Sequence, residues 1–449
     1  MNLKVIYEVL KEEFIMPEYI PVEIRDREPL EVMELESQHE PEDSILFIYY
    51  IKTQSDLVET ARKIAEEETT GRWIGGGTPT QTYELARADV CRIDKYADGE
   101  GVIYVRSPLG NLDLESDLFY QIAMLSVGGP ILEFVYYGNV AFLDFQLPQR
   151  ALDKFPGPQF GIQGTRDFIG LGEDEPVMGT IIKPCCGLTP EEAAEKCYQA
   201  ALGGAVLIKD DEKMMGPEYC PFERKVRLVS EALRKAEAQT GKKVIYAPHL
   251  TARPDRIKDM AMKAIEYGAT GVMFNAILAN NLGTVEILAE DPDINVPIYV
   301  HSGGRSALST GPRRIDDVVT AKLTRLCGGD YFQIGVMGQR NVHVASLDPE
   351  LLLRLDEVFK EPVAGIRDTV PVTAGGLGAA NVGKNIAAFG YDVAPLAGSN
   401  VLDHPMGPKA GAIAMNQAVE AYLQEEITEP DALKGYAVRK GYKELQAIL

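Results

Sequence analysis

The chain is poor in the residues that staple or metallate small domains, with six cysteines and five histidines among 449 residues. The cysteines (Cys91, Cys185, Cys186, Cys197, Cys220, Cys327) are scattered with no C-x-x-C pair. Glu8, Glu12 and Glu13 interrupt the Met1 end where a secretory leader would be apolar, so a reducing, cytoplasmic location is expected. The histidines (His39, His249, His301, His343, His404) lie too far apart for a local zinc motif, which leaves oxygen ligands for any metal. No apolar run approaches the ~20 residues that cross a bilayer, so no membrane partner is expected. Basic side chains are also short, 45 against 67 acidic for a net charge of -22. That balance repels phosphate backbones and anionic lipid and argues against a nucleic-acid partner. Any phosphate must be held locally.

What is present is ordinary globular material, 45% apolar and 25% charged, long enough for two or three domains. Many of the 42 glycines punctuate short apolar runs from Gly157 onward, the rhythm of a parallel β/α protein. Residues 177 to 183, 205 to 209, 243 to 249, 270 to 275, 296 to 301, 331 to 336, 369 to 375 and 393 to 398 read as eight buried strands, the number that closes a barrel. Helix starts lie between them at Thr189-Pro190-Glu191-Glu192, at Pro254-Asp255 and at Asp348-Pro349-Glu350. Before residue 150 the reading is an α+β domain, with strands in VIYEVL, ILFIYYIK and GVIYVRSP and helices over 55 to 68 and 115 to 127. Phe155-Pro156-Gly157-Pro158 marks the junction. The expected organisation is therefore an α+β, ferredoxin-like domain over 1–150, an eight-stranded parallel β/α (TIM) barrel over 151–425, and a helical tail over 426–449.

In such barrels, chemistry sits at the C-terminal ends of the strands. Strand two ends in Lys209-Asp210-Asp211-Glu212. Period-two alternation puts Lys209 and Asp211 on one face and Asp210 on the other, and Glu212 can turn inward as the strand ends. Two carboxylates suit a hard cation such as magnesium, and a lysine that reacts with carbon dioxide becomes an anionic carbamate, a third oxygen ligand. The plainer reading of the same string is a surface charge run or a salt-bridged strand end. Lys183 ends strand one. Near a metal and another cation its pKa would fall and it could move protons, or it is a snorkelling rim lysine. His301 and His249 end strands five and three, either as proton shuttles or as satisfied structural residues. Gly375-Gly376 and Gly398-Ser399 end strands seven and eight, the usual barrel location of a phosphate cradle, although glycine there is also plain turn chemistry.

Over nearly its whole length the sequence resembles the ribulose-bisphosphate carboxylase (RuBisCO) large subunit and its RuBisCO-like relatives. GTIIKPCCGLT (179 to 189) resembles the first-strand lysine motif and GGAVLIKDDE (203 to 212) the carbamylated-lysine motif. HSGG from His301, PVTAGGLG (371 to 378) and LAGSNVLDHPMGP (396 to 408) resemble the fifth, seventh and eighth strand-end motifs. EETTGRW (67 to 73) and YGNVAF (137 to 142) resemble segments that complete a neighbouring subunit's site. The resemblance implies Mg2+ held by carbamylated Lys209 with Asp211 and Glu212, and Lys183 as the first-strand catalytic lysine. It implies His301 near the reacting carbons, Glu67 and Asn139 entering from a partner chain, and a phosphate cradled by Gly375, Gly376, Gly398 and Ser399. It also implies an obligate homodimer, free to assemble further.

The departures from the family pattern bear on activity. Gln339 or Arg340 stands where carboxylases carry a mobile lysine after strand six, and Cys185 replaces the second lysine of KPK. Ser302 replaces the distal-phosphate arginine, and Gln333 the sixth-strand histidine. Arg72 replaces the threonine before the amino-terminal tryptophan, and Arg305 lies near the lost arginine, so both are candidate anion contacts. The expected function is magnesium-assisted enolisation of a ketose or diketose monophosphate, of enolase, isomerase or decarboxylase type, without productive carbon dioxide fixation. The rivals are a divergent carboxylase and a catalytically silent scaffold.

Overall fold

The computed structural model describes residues 24–25, 27–278, 281–338 and 348–449; the VIYEVL run and Gln339–Arg340 lie outside the described residues. The chain divides into two compact units. Among the described residues no helix is long and apolar enough to cross a membrane.

The first unit is built on a six-stranded sheet. Its strands are β1 (Glu31–Glu34), β2 (Ser44–Lys52), β3 (Asp89–Ala97), β4 (Glu100–Pro108), β5 (Asn139–Gln146) and β11 (Arg313–Ile315), in the order β1-β3-β4-β2-β5-β11. The first five pair antiparallel and β11 joins β5 in parallel. Alternation sorts the side chains into two sets. Ile48, Tyr50, Val102, Tyr104, Ala141 and Leu143 form one buried cluster, and Phe47, Tyr49 and Phe142 pack ring to ring in another, with centroids 5.1 to 6.4 Å apart. Tyr49 donates its hydroxyl to the Ser126 carbonyl at 2.8 Å, tying the sheet to the helix Leu118–Val127. Two of the runs read as strands, 45 to 52 and 101 to 108, lie in β2 and β4. β1, β3, β5 and β11 were not anticipated. β1 is four residues with an almost wholly exposed side-chain pattern, and β11 is three half-buried residues supplied from the far half of the chain, so neither carries a local apolar signature.

The second unit is the barrel. Its eight strands are β6 (Gly179–Ile181), β7 (Leu207–Lys209), β8 (Ile245–Ala247), β9 (Val272–Asn275), β10 (Ile298–His301), β12 (Tyr331–Gln333), β13 (Val370–Thr373) and β14 (Ala394–Pro395). All pair in parallel, and each falls within one of the eight runs read from the sequence. They form a three-stranded and a five-stranded arc, joined into a ring by single bridges between His249 and Met273 and between Gly179 and Leu396. Leu207, Ile245, Ala247, Met273, Tyr299, Tyr331, Val370 and Val372 fill the interior, so the barrel is a packed core with a polar end. Two of the three expected helix starts carry side-chain caps, and Pro254–Arg256 is a 3-10 turn without one. Thr189 and Glu192 make a reciprocal capping box on Pro190–Leu202, and Asp348 caps Pro349–Lys360. The terminal helices Pro430–Lys440 and Lys443–Gln446 pack on Pro408–Glu425, where Tyr436 and Tyr442 both donate to Glu420 at 3.1 and 2.7 Å.

Glu68, beside the expected site residue Glu67, is buried and accepts backbone N–H groups from Gly129 (3.2 Å) and Ile131 (2.7 Å). Burial pushes its pKa from 4.5 to about 7, outweighing those hydrogen bonds. A carboxyl raised on folding binds its proton more tightly in the native state. The linked stability is full below the unfolded value and lost as pH rises through about 7. Glu68→Gln removes this linkage. Denaturant titrations should therefore show the variant gaining about 1 kcal/mol on wild type between about pH 5 and pH 8, less than the full shift would give because solvent screens the loop. A difference independent of pH would contradict the raised value.

Candidate active site

The inward direction of Leu207 decides what the end of β7 offers. Lys209 follows it into the barrel, and Asp210 turns outward to the surrounding helices, as alternation requires. Lys209 and Asp210 are fully buried, and Asp211 is 1% exposed. Lys209 Nζ donates to the Asp210 carbonyl at 3.0 Å and stands 5.3 Å from the centre of the Tyr299 ring. Burial pulls its pKa down to about 8, against the opposing fields of Glu212, Asp211 and Asp210. An amine that sheds its proton this readily is suited to attack carbon dioxide, because only the neutral form is nucleophilic.

Lys183, two residues beyond β6, donates to Asp211 Oδ2 and, at 3.2 Å, to Cys185 Sγ. Burial alone would lower its pKa. The bonds to Asp211 and Cys185 outweigh that and hold it above the ordinary lysine value. The depressed value expected from the sequence is that of a lysine beside a bound metal and a second cation; the group that meets Lys183 here is the Asp211 carboxylate. Asp211 responds in kind. Burial raises its pKa, but Lys183 and the Lys213 N–H bring it below the usual range.

On the facing side, His301 Nε2 lies 3.3 Å from Glu212 Oε2. The Gly303 N–H donates to His301 Nδ1 at 3.0 Å. Nδ1 is thus the acceptor, and the ring proton sits on Nε2, pointing to the carboxylate. Burial first, then the positive field of Lys209, pulls the His301 pKa to about 3. His249 is likewise lowered to about 4 by burial; its Nδ1 meets the Thr251 hydroxyl at 3.0 Å.

The other strand ends complete the rim. Gly398 lies against Lys183, where an added Cβ would come within 3.3 Å of Lys183 Cε, and Ser399, exposed, opens the short helix Ser399–Leu402. Gly375 and Gly376 are exposed, with left-handed φ of 93° and 97° that a side chain would strain. Gln333, at the end of β12, reaches the Ala374 carbonyl at 3.4 Å, while its buried Oε1 accepts no hydrogen bond. Arg305 is buried and donates to the carbonyls of Gln333 (3.1 Å) and Ile334 (2.9 Å), tying the segment after β10 to the end of β12. Glu67, Arg72 and Asn139 belong to the first unit. Glu67 closes the helix Leu57–Glu67, Arg72 is exposed beyond it, and Asn139 is exposed at the start of β5.

Lys183, Lys209, Asp211, Glu212, His301 and Gly398 are thus brought together in one linked group. Among the described residues no three His, Cys, Asp or Glu side chains cluster as a ready-made metal site. Asp211 and Glu212 supply two carboxylates, and a third anionic oxygen has to come from the buried amine beside them. That donor set fits a hard cation once Lys209 is carbamylated. Sequence reading missed Tyr299, although its position two residues before His301 on the same strand places both on the inward face. It also missed Lys225, which is fully buried against Asp210 and carries no local signal because its partner comes from another element.

Residues 161–448 match the family model for the ribulose bisphosphate carboxylase large chain, catalytic domain, and residues 33–151 match the model for its N-terminal domain. The chain belongs to the RuBisCO large-chain family. A ribulose bisphosphate carboxylase-like protein from Archaeoglobus fulgidus is 29% identical over 421 residues, 91% of this chain and 94% of the relative. A ribulose bisphosphate carboxylase from Methanosarcina mazei is 31% identical over 404 residues, 87% and 91% of the two chains. The octameric RuBisCO of Pyrococcus horikoshii superposes with a TM-score of 0.81 at 28% identity, covering 91% of this chain and 93% of that one. Family membership covers both units, so the strand-end groups described above occupy the catalytic-domain match.

With its pKa near 3, His301 stays neutral throughout the physiological range. Histidine-labelled NMR should show one neutral, Nε2-protonated His301 with no titration from about pH 5 to pH 8. A midpoint near the ordinary value of 6.5 would show that the ring is not held as described.

Proposed function

We propose that the protein catalyses magnesium-assisted enolisation of a ketose or diketose monophosphate, as an enolase, isomerase or decarboxylase, without productive carbon dioxide fixation. The observation that carries this reading is the meeting of Lys183, Asp211, Glu212 and His301 around the buried amine of Lys209. Lys209 as its carbamate, with Asp211 and Glu212, would hold Mg2+. The chemistry supplied by the bound ion is polarisation of a substrate carbonyl and stabilisation of enediolate charge.

The chain's own groups divide the proton work. Lys183, at the rim beside Asp211 and Gly398, serves as the acid that returns a proton to the enediolate. The α-proton then falls to the Lys209 carbamate as base. His301, neutral and with its Nε2–H on Glu212, would turn that hydrogen bond to a substrate oxygen once Glu212 is taken up by Mg2+, and moves no net charge. Gly375, Gly376, Gly398 and Ser399 cradle one phosphate through backbone N–H groups. A second phosphate has poor support: Ser302 and Gln333 stand at the two distal-phosphate positions, and Arg305 is engaged with main-chain carbonyls.

A second reading, an authentic carboxylase, draws support from the 31% identity to the Methanosarcina mazei carboxylase. It predicts that labelled carbon dioxide enters acid-stable phosphoglycerate from ribulose bisphosphate. The preferred reading predicts none, and instead α-proton exchange in deuterated water with magnesium, bicarbonate and at least one member of a panel of ketose and diketose monophosphates. Lys209→Ala should slow that exchange by about a hundredfold or more. Absence of exchange for every candidate, or a Lys209→Ala variant equal to wild type, would defeat the proposal. We also propose that the protein is a homodimer or an assembly of dimers, with Glu67 and Asn139 contributed across the interface. Light scattering should return at least twice the 49.3 kDa chain mass. A monomer active at full rate would refute that arrangement.

A further inference from the structure

Asp210 points away from the barrel interior, yet it is fully buried and held from three directions. Its Oδ2 pairs with the ammonium of Lys225, which is 1% exposed and rises from the helix Phe222–Thr240. Its Oδ1 accepts the Tyr246 hydroxyl at 3.1 Å, from the outward face of β8. Oδ2 also accepts the His249 backbone N–H at 3.0 Å, and the Asp210 N–H donates to the Ala247 carbonyl at 3.1 Å. One residue therefore ties the end of β7 to the end of β8 and to a helix behind both.

Net stabilisation is a poor account of this cluster. Removing two charges from water cancels most of what their attraction returns, and apolar side chains of similar size would hold the same elements at equal or lower cost. What a carboxylate with three directed donors adds is position. Asp210 sits between Lys209 and Asp211 in the chain, so any rotation or slip of its backbone moves both neighbours, and a coordination site tolerates only a fraction of an ångström.

We propose that Asp210 and Lys225, with Tyr246, are positioning residues. From outside the barrel they set the inward aim of Lys209 and Asp211. The inference rests on the magnesium site proposed above. It assigns the metal affinity of that site in part to a buried ion pair that touches neither metal nor substrate.

Single removal of either charge strands the other in the interior and threatens folding. The test is therefore the double variant Asp210→Asn with Lys225→Met, which leaves no unpaired charge. Manganese binding in the presence of bicarbonate, followed by electron paramagnetic resonance, should be weakened about tenfold with unchanged secondary structure. Val229→Ala, a cavity in the buried face of the same helix, supplies the control: it lowers the melting temperature and leaves manganese affinity within about twofold of wild type. If wild type binds manganese and the double variant matches it, the inference falls while the metal reading stands. If Val229→Ala weakens binding as much as the double variant, general loosening explains the effect and the inference also falls. If wild type takes up no manganese, the metal reading falls and this inference with it.

Discussion

The structure depends on how the end of β7 keeps three consecutive ionisable side chains out of water. Lys209, Asp210 and Asp211 are all buried, and an isolated charge in such a place costs several kcal/mol. Two lysines from other elements make the arrangement tenable. Lys225 reaches Asp210 from a helix on the outside, and Lys183 reaches Asp211 from the neighbouring strand end on the inside. Lys209 is left between them with a carbonyl as its acceptor. Its response is to become easier to deprotonate, the property that carbamate formation needs.

The rest of the mouth extends the same logic from strand to strand. Lys183 joins β6 to β7 through Asp211, Glu212 joins β7 to β10 through His301, and Asn275 at the end of β9 donates to the Gly303 carbonyl at 2.8 Å. Arg305 and Gln333 carry the connection on towards Ala374, and Gly398 returns it to Lys183. Each strand is only two to four residues long, and two points of closure rest on single bridges. Side-chain links at the rim therefore matter more than they would in a long-stranded sheet. They also fix protonation states. Asp211 holds the Lys183 pKa above the ordinary lysine value and burial beside Lys209 holds that of His301 below the ordinary histidine value, so two neighbouring basic groups are moved apart.

Much of the barrel is legible in the sequence, since its strands are continuous apolar runs ending in polar or glycine residues, a pattern imposed by burial on both faces. The strand-end groups were legible for the same reason: where a buried strand stops, the first polar residues mark the mouth. The amino-terminal sheet was less legible. β3 mixes charged and apolar residues, and β11 is three residues whose reason to be extended is its pairing with β5. Local pattern cannot report a partner that arrives from the other half of the chain.

The amino-acid sequence by itself determined the family, the order of the strands and which residues stand at the mouth, because these follow from apolar spacing and from motifs that are contiguous in the chain. Only the tertiary structure decided what those residues are. It placed Lys183 on a carboxylate that raises its pKa, it spent Arg305 on main-chain carbonyls, and it buried Lys225 behind Asp210. Charge state and hydrogen-bond partner depend on distance and dielectric, and neither exists until elements far apart in the chain have packed together.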